Sequence, residues 1–172
     1  MLKILPPDFK FCPMCGEKLG VFEEESVERK RCPKCEWIYY PHVECGATGV
    51  EVKNGKILLV KRMREAHKNT WVLPSGFVDF GEHPSETVVR EMKEETGYDA
   101  EVVRFLDVLQ VDDDPRCMGL FEFFYEMRVR GEMKTADGEE ISEVKWWDLD
   151  SLSNVKAHGH REILKRIGGR EK

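Results

Sequence analysis

An α/β fold, with a mixed sheet between helices and a small cysteine-stapled unit in front, is what this sequence predicts. Three observations carry that prediction: a well-bounded helix over residues 84–96, hairpin and strand patterns on both sides of it, and two Cys-Pro-x-Cys pairs near the N-terminus. At 172 residues the chain suits one domain, or one with a small appendage. A hydrophobic share of 41% with 10% aromatic residues is enough for a packed core and argues against global disorder. The net charge of −6 argues against a nonspecific nucleic-acid partner. Nucleotides stay open, because a bound cation reverses the sign locally. There is no run of about 18 apolar residues, and Met1 to Pro7 is too short and too soon broken by proline for a secretory leader. A soluble cytoplasmic protein with no membrane partner is expected.

The N-terminal unit follows from cysteine spacing. Cys12-Pro-Met-Cys15 and Cys32-Pro-Lys-Cys35 have sixteen residues between them, a strong signal for a structural zinc site. Each pair turns two thiolates to one side of a tight loop, and two such knuckles complete a tetrahedral four-sulfur shell. Disulfides fit a cytoplasmic chain less well, as do redox or iron–sulfur roles. Cys45 and Cys117 fall outside the pattern and read as small apolar residues. His42 reads as a linker histidine, since four cysteines already fill the shell. From Phe9 to Pro41 the chain is short and polar, and so few residues bury too little surface to fold unaided. Zinc supplies the missing folding energy, so residues 1–41 are expected to be a zinc ribbon and residues 42–172 the main domain.

In the main domain, Val50 to Val60 reads as two strands around Asn54-Gly55, the strongest short hairpin signal. A helix is expected over Pro84 to Thr96: Pro84 suits its first turn, Ser85 and Glu86 suit its positive end, and Gly97 suits a left-handed C-terminal cap. Within it Val88, Val89 and Met92 form a narrow apolar stripe. Further strands are expected over Glu101 to Val108, Leu120 to Val129 and Glu143 to Trp147. A last helix, Ala157 to Ile167, carries Ile163, Leu164 and Ile167 on one side and ends at Gly168-Gly169.

The first of these helices holds the candidate chemistry. Glu91, Glu94 and Glu95 fall at i, i+3 and i+4, so three carboxylates share one face with Cβ atoms about 5–6 Å apart. An oxygen-only anionic patch of this kind repels itself unless a hard cation such as Mg²⁺ or Mn²⁺ relieves it. A merely solvated acidic face is the competing reading, and the flanking pattern decides against it. Gly76, Glu82, Arg90, Glu91, Met92, Glu94, Glu95, Gly97 and Tyr98 spell G-x5-E-x7-R-E-U-x-E-E-x-G-U, with U a bulky apolar residue. This resembles the signature of the Nudix hydrolase superfamily, with Tyr98 where an aliphatic residue is more usual. Trp71-Val72-Leu73-Pro74-Ser75-Gly76-Phe77 resembles the W-x-L-P-G-G-F segment that leads into it, with Ser75 replacing the first glycine. Trp37 to His42 resembles the link between a zinc ribbon and a Nudix domain in the NADH pyrophosphatase branch.

The resemblance implies a Nudix α/β/α sandwich and hydrolysis of phosphoanhydrides. It implies that Glu91, Glu94 and Glu95, with the Ser75 carbonyl, hold Mg²⁺ or Mn²⁺, and that either Glu94 or Glu95 also orients or deprotonates the attacking water. Arg90 is expected to orient the carboxylates, and Glu82, Gly76 and Gly97 to support the loop and helix. Glu140, ahead of Glu143, is the expected further acid, in a segment that resembles the family's loop glutamate before an aromatic-ended strand; an acidic solvent loop beside Asp137-Gly138 is the alternative. Arg62 and Arg64 are candidates for substrate phosphate.

Substrate is the least determined part. Zinc-ribbon relatives carry an S-Q-P-W-P-F-P-x-S array after the box, which the stretch from Arg104 to Met118 lacks. Pro115, seventeen residues beyond Tyr98, resembles a proline of some ADP-ribose pyrophosphatases. ADP-ribose or a related ADP-linked compound, releasing AMP, is therefore the expected substrate. NAD(H) and oxidised nucleoside triphosphates are the alternatives, with FAD and diadenosine polyphosphates also open. A non-catalytic nucleotide sensor or nucleic-acid-binding protein is the contrasting class, but the intact Glu91, Glu94 and Glu95 argue against a dead site. Relatives of this domain order imply homodimers.

Overall fold

In the computed structural model, residues 8–64, 67–111, 119–133, 139–149, 152, 155 and 158–168 are described. Met1 to Pro7, Pro115, Cys117, the Asp137-Gly138 loop, Ala157 and Gly169 lie outside that set. The chain divides into two compact units, Met1–Val43 and Glu44–Lys172.

The first unit is a three-stranded antiparallel sheet of β1 (Gly20–Glu24), β2 (Val27–Arg31) and β3 (Ile38–Tyr39). Its turns bring Cys12, Cys15, Cys32 and Cys35 together, with all four sulfurs within 4.8 Å of one another. Three of the sulfur pairs measure 3.5, 3.5 and 3.6 Å. Four thiolates about 2.3 Å from a tetrahedral zinc stand roughly 3.8 Å apart, so the donor set and spacing fit zinc. A Phe9–Tyr39 edge-to-face pair at 5.0 Å adds the little apolar packing this unit has.

The second unit holds β4 (Glu44–Val50), β5 (Val52–Lys53), β6 (Lys56–Arg62), β7 (Trp71–Val72), β8 (Ser75–Phe77), α1 (Pro84–Thr96), β9 (Asp99–Val111), β10 (Leu120–Arg130), β11 (Ile141–Asp148) and α2 (His158–Gly168). One sheet has the order β8-β4-β10-β9 and is mixed, since β10 runs parallel to β4 and antiparallel to β9. The other has the order β11-β6-β5, with β7 also on β6. The hairpin between β5 and β6 turns at Asn54-Gly55, both at positive φ (53° and 71°), as a two-residue turn between twisted strands requires.

Strand alternation sorts the core into two sides. Ala47, Leu58, Tyr125 and Met127 pack with Val88 and Met92 of α1. Val50, Ile57, Leu59 and Phe124 pack with Ile163 and Leu164 of α2. The two helices therefore cover opposite sides of the strands. Val88 and Met92 are fully buried, each contributing about 1.5–3 kcal/mol. Helix α1 begins at a capping box in which His83 Nδ1 accepts from the Ser85 N–H and Glu86 accepts from the His83 N–H at 2.9 Å. It ends at Gly97, whose φ of 76° is left-handed and whose N–H reaches the Lys93 carbonyl. That packing fixes which face of α1 is left for chemistry.

Candidate active site

Apolar Val88 and Met92 face the sheet, so the helical period turns Glu91, Glu94 and Glu95 toward a hollow that Arg90, Glu140 and Ile141 also line. The three carboxylates are not equivalent. Glu94 is 58% exposed at its side chain, whereas Glu95 is 6% exposed. Burial pushes the Glu95 carboxyl well above the ordinary range, and Glu91 beside it adds to the rise, against the pull of the Ser75 N–H and Arg62. Burial likewise raises Glu91, opposed by its Arg90 partner and reinforced by Glu94 and Glu140. Crowded carboxylates held this way favour protonation or a cation. With only oxygen donors, the set fits a hard divalent ion such as Mg²⁺ or Mn²⁺.

Arg90 ties the acidic face to the loop before it. Its Nε and Nη2 form a two-pronged pair with Glu82, each at 3.0 Å, and its Nη1 donates to Glu91 at 2.6 Å and to Glu94 at 3.1 Å. Such planar bidentate pairing is specific to guanidinium. Arg90 and the Thr87 hydroxyl hold the Glu82 carboxyl down to about 2, so Glu82 stays ionised as an anchor. Gly76 leaves the room that the Glu91 carboxylate occupies: a Cβ there would stand 1.9 Å from Glu91 Oε1. Ser75 replaces a glycine without strain, as it is absent from the residues at positive φ. Its N–H donates to Glu95 Oε2 at 2.9 Å.

A second cleft of about 290 Å³ adjoins this hollow of about 350 Å³ through the shared Arg90, Glu91 and Glu140. Ser75, Gly76 and Arg62 also line it. Arg62 Nε is itself buried with no hydrogen-bond partner, while the Arg62 charge pulls down the Glu95 carboxyl. Arg64 is placed differently. Strand β6 ends at Arg62, and Arg64 turns to pair with Glu140 and, at 3.4 Å, with Glu139. Glu140 lines both hollows, whereas Glu143 pairs with Lys61 at 2.6 Å on the outer side.

Sequence reasoning missed the far wall of the cleft. Glu122 of β10 and His160 of α2 both line it and are both 5% exposed. Burial pushes the Glu122 carboxyl up, but His160 and the Thr48 hydroxyl more than offset this and hold it below the ordinary value. The signals were present: Glu122 interrupts an apolar strand, and His160 lies three, four and seven residues before Ile163, Leu164 and Ile167 on the same helical stripe. Among the described residues, no helix is long and apolar enough to cross a membrane.

A NUDIX domain profile matches residues 40–167. The ADP-ribose pyrophosphatase of Methanocaldococcus jannaschii is 38% identical over 127 residues, covering 73% of each chain. The NAD-capped RNA hydrolase NudC of Vibrio atlanticus is 31% identical over 152 residues, covering 87% of this chain and 53% of its own, so this chain spans about half the length of that relative. A NUDIX hydrolase structure from Nitrosomonas europaea superposes with a TM-score of 0.79 at 22% identity, covering 92% of this chain and 90% of its own.

Proposed function

The chain belongs to the Nudix hydrolase superfamily, and from that premise we propose that it hydrolyses the pyrophosphate bond of ADP-ribose or a related ADP-linked compound and releases AMP. One observation carries the reading: Glu91, Glu94, Glu95 and Glu140 converge on a hollow that opens into a cleft lined by Arg62 and Arg90. The relative named for ADP-ribose supports that substrate class. The relative named for NAD-capped RNA, whose match extends over 87% of this chain, favours NAD(H) as the second reading.

In this account Glu91, Glu94 and Glu95, with the Ser75 carbonyl, hold Mg²⁺ or Mn²⁺. When bound, such ions neutralise the charge that builds on the phosphoryl oxygens and activate water. The residues around them have separable tasks. Arg90 locks Glu91 and Glu94 in one geometry through its Glu82 anchor. The Ser75 N–H fixes Glu95. Glu94 or Glu95 takes the proton of the attacking water, and Glu140, steadied by Arg64, supplies the fourth carboxylate at the rim. Arg62, in the cleft wall, offers its guanidinium charge to the substrate phosphate. Residues 1–41, read as a zinc ribbon with Cys12, Cys15, Cys32 and Cys35 as ligands, hold fold and take no part in hydrolysis.

The test is chromatographic assay of purified protein with Mg²⁺ or Mn²⁺ against ADP-ribose, NAD⁺, NADH, FAD, diadenosine polyphosphates and nucleoside triphosphates. Metal-dependent AMP release from ADP-ribose, lost in Glu94→Gln, supports the reading. Turnover of NADH in preference to ADP-ribose supports the second one. A folded, zinc-loaded protein with no turnover across the panel would overturn both.

A further inference from the structure

The cleft holds a second anionic element that the phosphoanhydride chemistry leaves unused. Glu122 stands on β10 between the apolar Leu120 and Phe124 and is buried. A buried carboxylate is costly without donors, and the fold gives two donors to one oxygen. Oε1 accepts from the Thr48 hydroxyl and from His160 Nε2, the latter at 2.8 Å. The ring is oriented by Leu73, whose N–H donates to Nδ1 at 3.1 Å. A ring nitrogen that accepts carries no hydrogen of its own, so the neutral ring keeps its proton on Nε2 and gives it to Glu122.

Oε1 is thus satisfied twice, and neither donor serves Oε2. That oxygen lies over Gly159 in the first turn of α2, where a Cβ would stand only 2.9 Å away. The floor beside it is a second glycine. Gly46 pairs with Glu122 on one side and with Phe77 on the other, so β4 puts no side chain between them, and the Leu120 methyls lie 3.4 and 3.8 Å from where a Gly46 Cβ would stand. Gly46, Phe77, Glu122 and Gly159 all line the cleft that contains Arg62 and Arg90.

We propose that Glu122 is a specificity-determining acceptor: its Oε2 takes a hydrogen bond from an N–H or O–H donor on the nucleoside half of the substrate, a base amine or a ribose hydroxyl. The inference rests on the proposed pyrophosphatase reading for its substrate class. Charge sorting gives the direction of binding. The four carboxylates Glu91, Glu94, Glu95 and Glu140, read as the site of the divalent ion, mark the diphosphate end beside Arg62 and Arg90, which leaves the uncharged, donor-bearing nucleoside toward Glu122.

The test is titration calorimetry of AMP binding to the full chain, wild type against Glu122→Gln. The amide keeps the shape, and its carbonyl still accepts from Thr48 and His160, which turns its NH₂ toward the cleft and sets donor against donor. AMP affinity is expected to fall about ten- to hundredfold, the worth of a hydrogen bond to a charged group. KM for ADP-ribose should rise by the same factor, with kcat within about twofold. Gly159→Ala sets a methyl group 2.9 Å from Oε2, and equally close to the Val111 side chain, without removing charge; a folded, wild-type-like melt for this variant ties its expected weakening of AMP to the cleft. This variant carries the test if Glu122→Gln unfolds the protein. IMP in place of AMP removes the base amine, and 2′-deoxy- and 3′-deoxy-AMP remove the hydroxyls singly. The analogue that lacks the recognised donor should bind wild type and Glu122→Gln alike. Equal AMP affinity in wild type and a folded Glu122→Gln, or no AMP binding by wild type, would overturn the proposal. Failure of the hydrolysis reading looks different: AMP binding that is sensitive to Glu122→Gln, without metal-dependent turnover of any ADP-linked compound.

Discussion

Gly76→Ala should disarm the acidic face without removing any of its charges. The new Cβ would stand 1.9 Å from Glu91 Oε1, 2.1 Å from Cδ and 2.7 Å from Oε2, so the whole carboxylate has to retreat. A tolerable contact needs a retreat of about 1 Å or more, and a misplacement of that size costs roughly a hundredfold in rate. Arg90 makes the retreat harder to absorb, because its Nη1 holds the same Oε1 at 2.6 Å while its other nitrogens are committed to Glu82. A hundredfold corresponds to about 2.7 kcal/mol of lost transition-state stabilisation. The assay is AMP release from ADP-ribose across a Mg²⁺ titration, with a thermal melt beside it. The expected result is a loss of about a hundredfold at saturating metal, a larger loss at low metal, and an intact melting transition. A folded variant within about threefold of wild type at every Mg²⁺ concentration would refute Glu91 as a metal-holding carboxylate.

Other consequences are accessible to simple measurements. Arg90→Lys keeps the charge but loses the two-pronged Glu82 pair, so kcat/KM for ADP-ribose should fall about ten- to a hundredfold, while retention of full activity would mean that charge alone suffices. Metal analysis should find one zinc per chain, lost in Cys32→Ser, together with rapid proteolysis confined to residues before 44; zinc retention would remove Cys32 from the ligand set. Burial raises the Glu51 carboxyl to about 7 from 4.5. A raised carboxyl contributes stability that is fully present below about 4.5 and is lost as pH climbs through about 7. Glu51→Gln mimics the protonated acid, so its melting temperature should gain on wild type between pH 5 and pH 8, and parallel pH profiles would contradict the assignment.

How much was legible in the sequence varied with how local the signal was. Helix α1 matches its expected bounds, Pro84 and Thr96, because a proline, a polar first turn and a glycine cap are written within one short segment. The expected strand from Glu101 to Val108 runs from Asp99 to Val111, since its ends are set by pairing with β10 and not by composition. Most of β4 escaped notice: Glu-Cys-Gly-Ala-Thr-Gly has little strand propensity, yet it lies between β8 and β10 in the sheet. The box glutamates were legible because one helix carries all three. Glu122, Thr48 and His160 were not, since three elements far apart in sequence have to meet before their hydrogen bonds exist. Arg62 and Arg64 looked alike as strand-end cations; the strand ends between them, and only Arg62 remains in the cleft wall.

If the glutamate face of α1 holds the divalent ion on which hydrolysis depends, metal binding and turnover must fail together. Electron paramagnetic resonance of Mn²⁺ titrated into wild type and into the Glu91→Gln, Glu94→Gln and Glu95→Gln variants, with turnover of ADP-ribose measured on the same samples, tests it most directly. Tight Mn²⁺ binding by wild type is expected, weakened in each variant, with turnover lost in parallel. Unchanged Mn²⁺ binding in all three folded variants, or full turnover in chelator-treated protein, would contradict it.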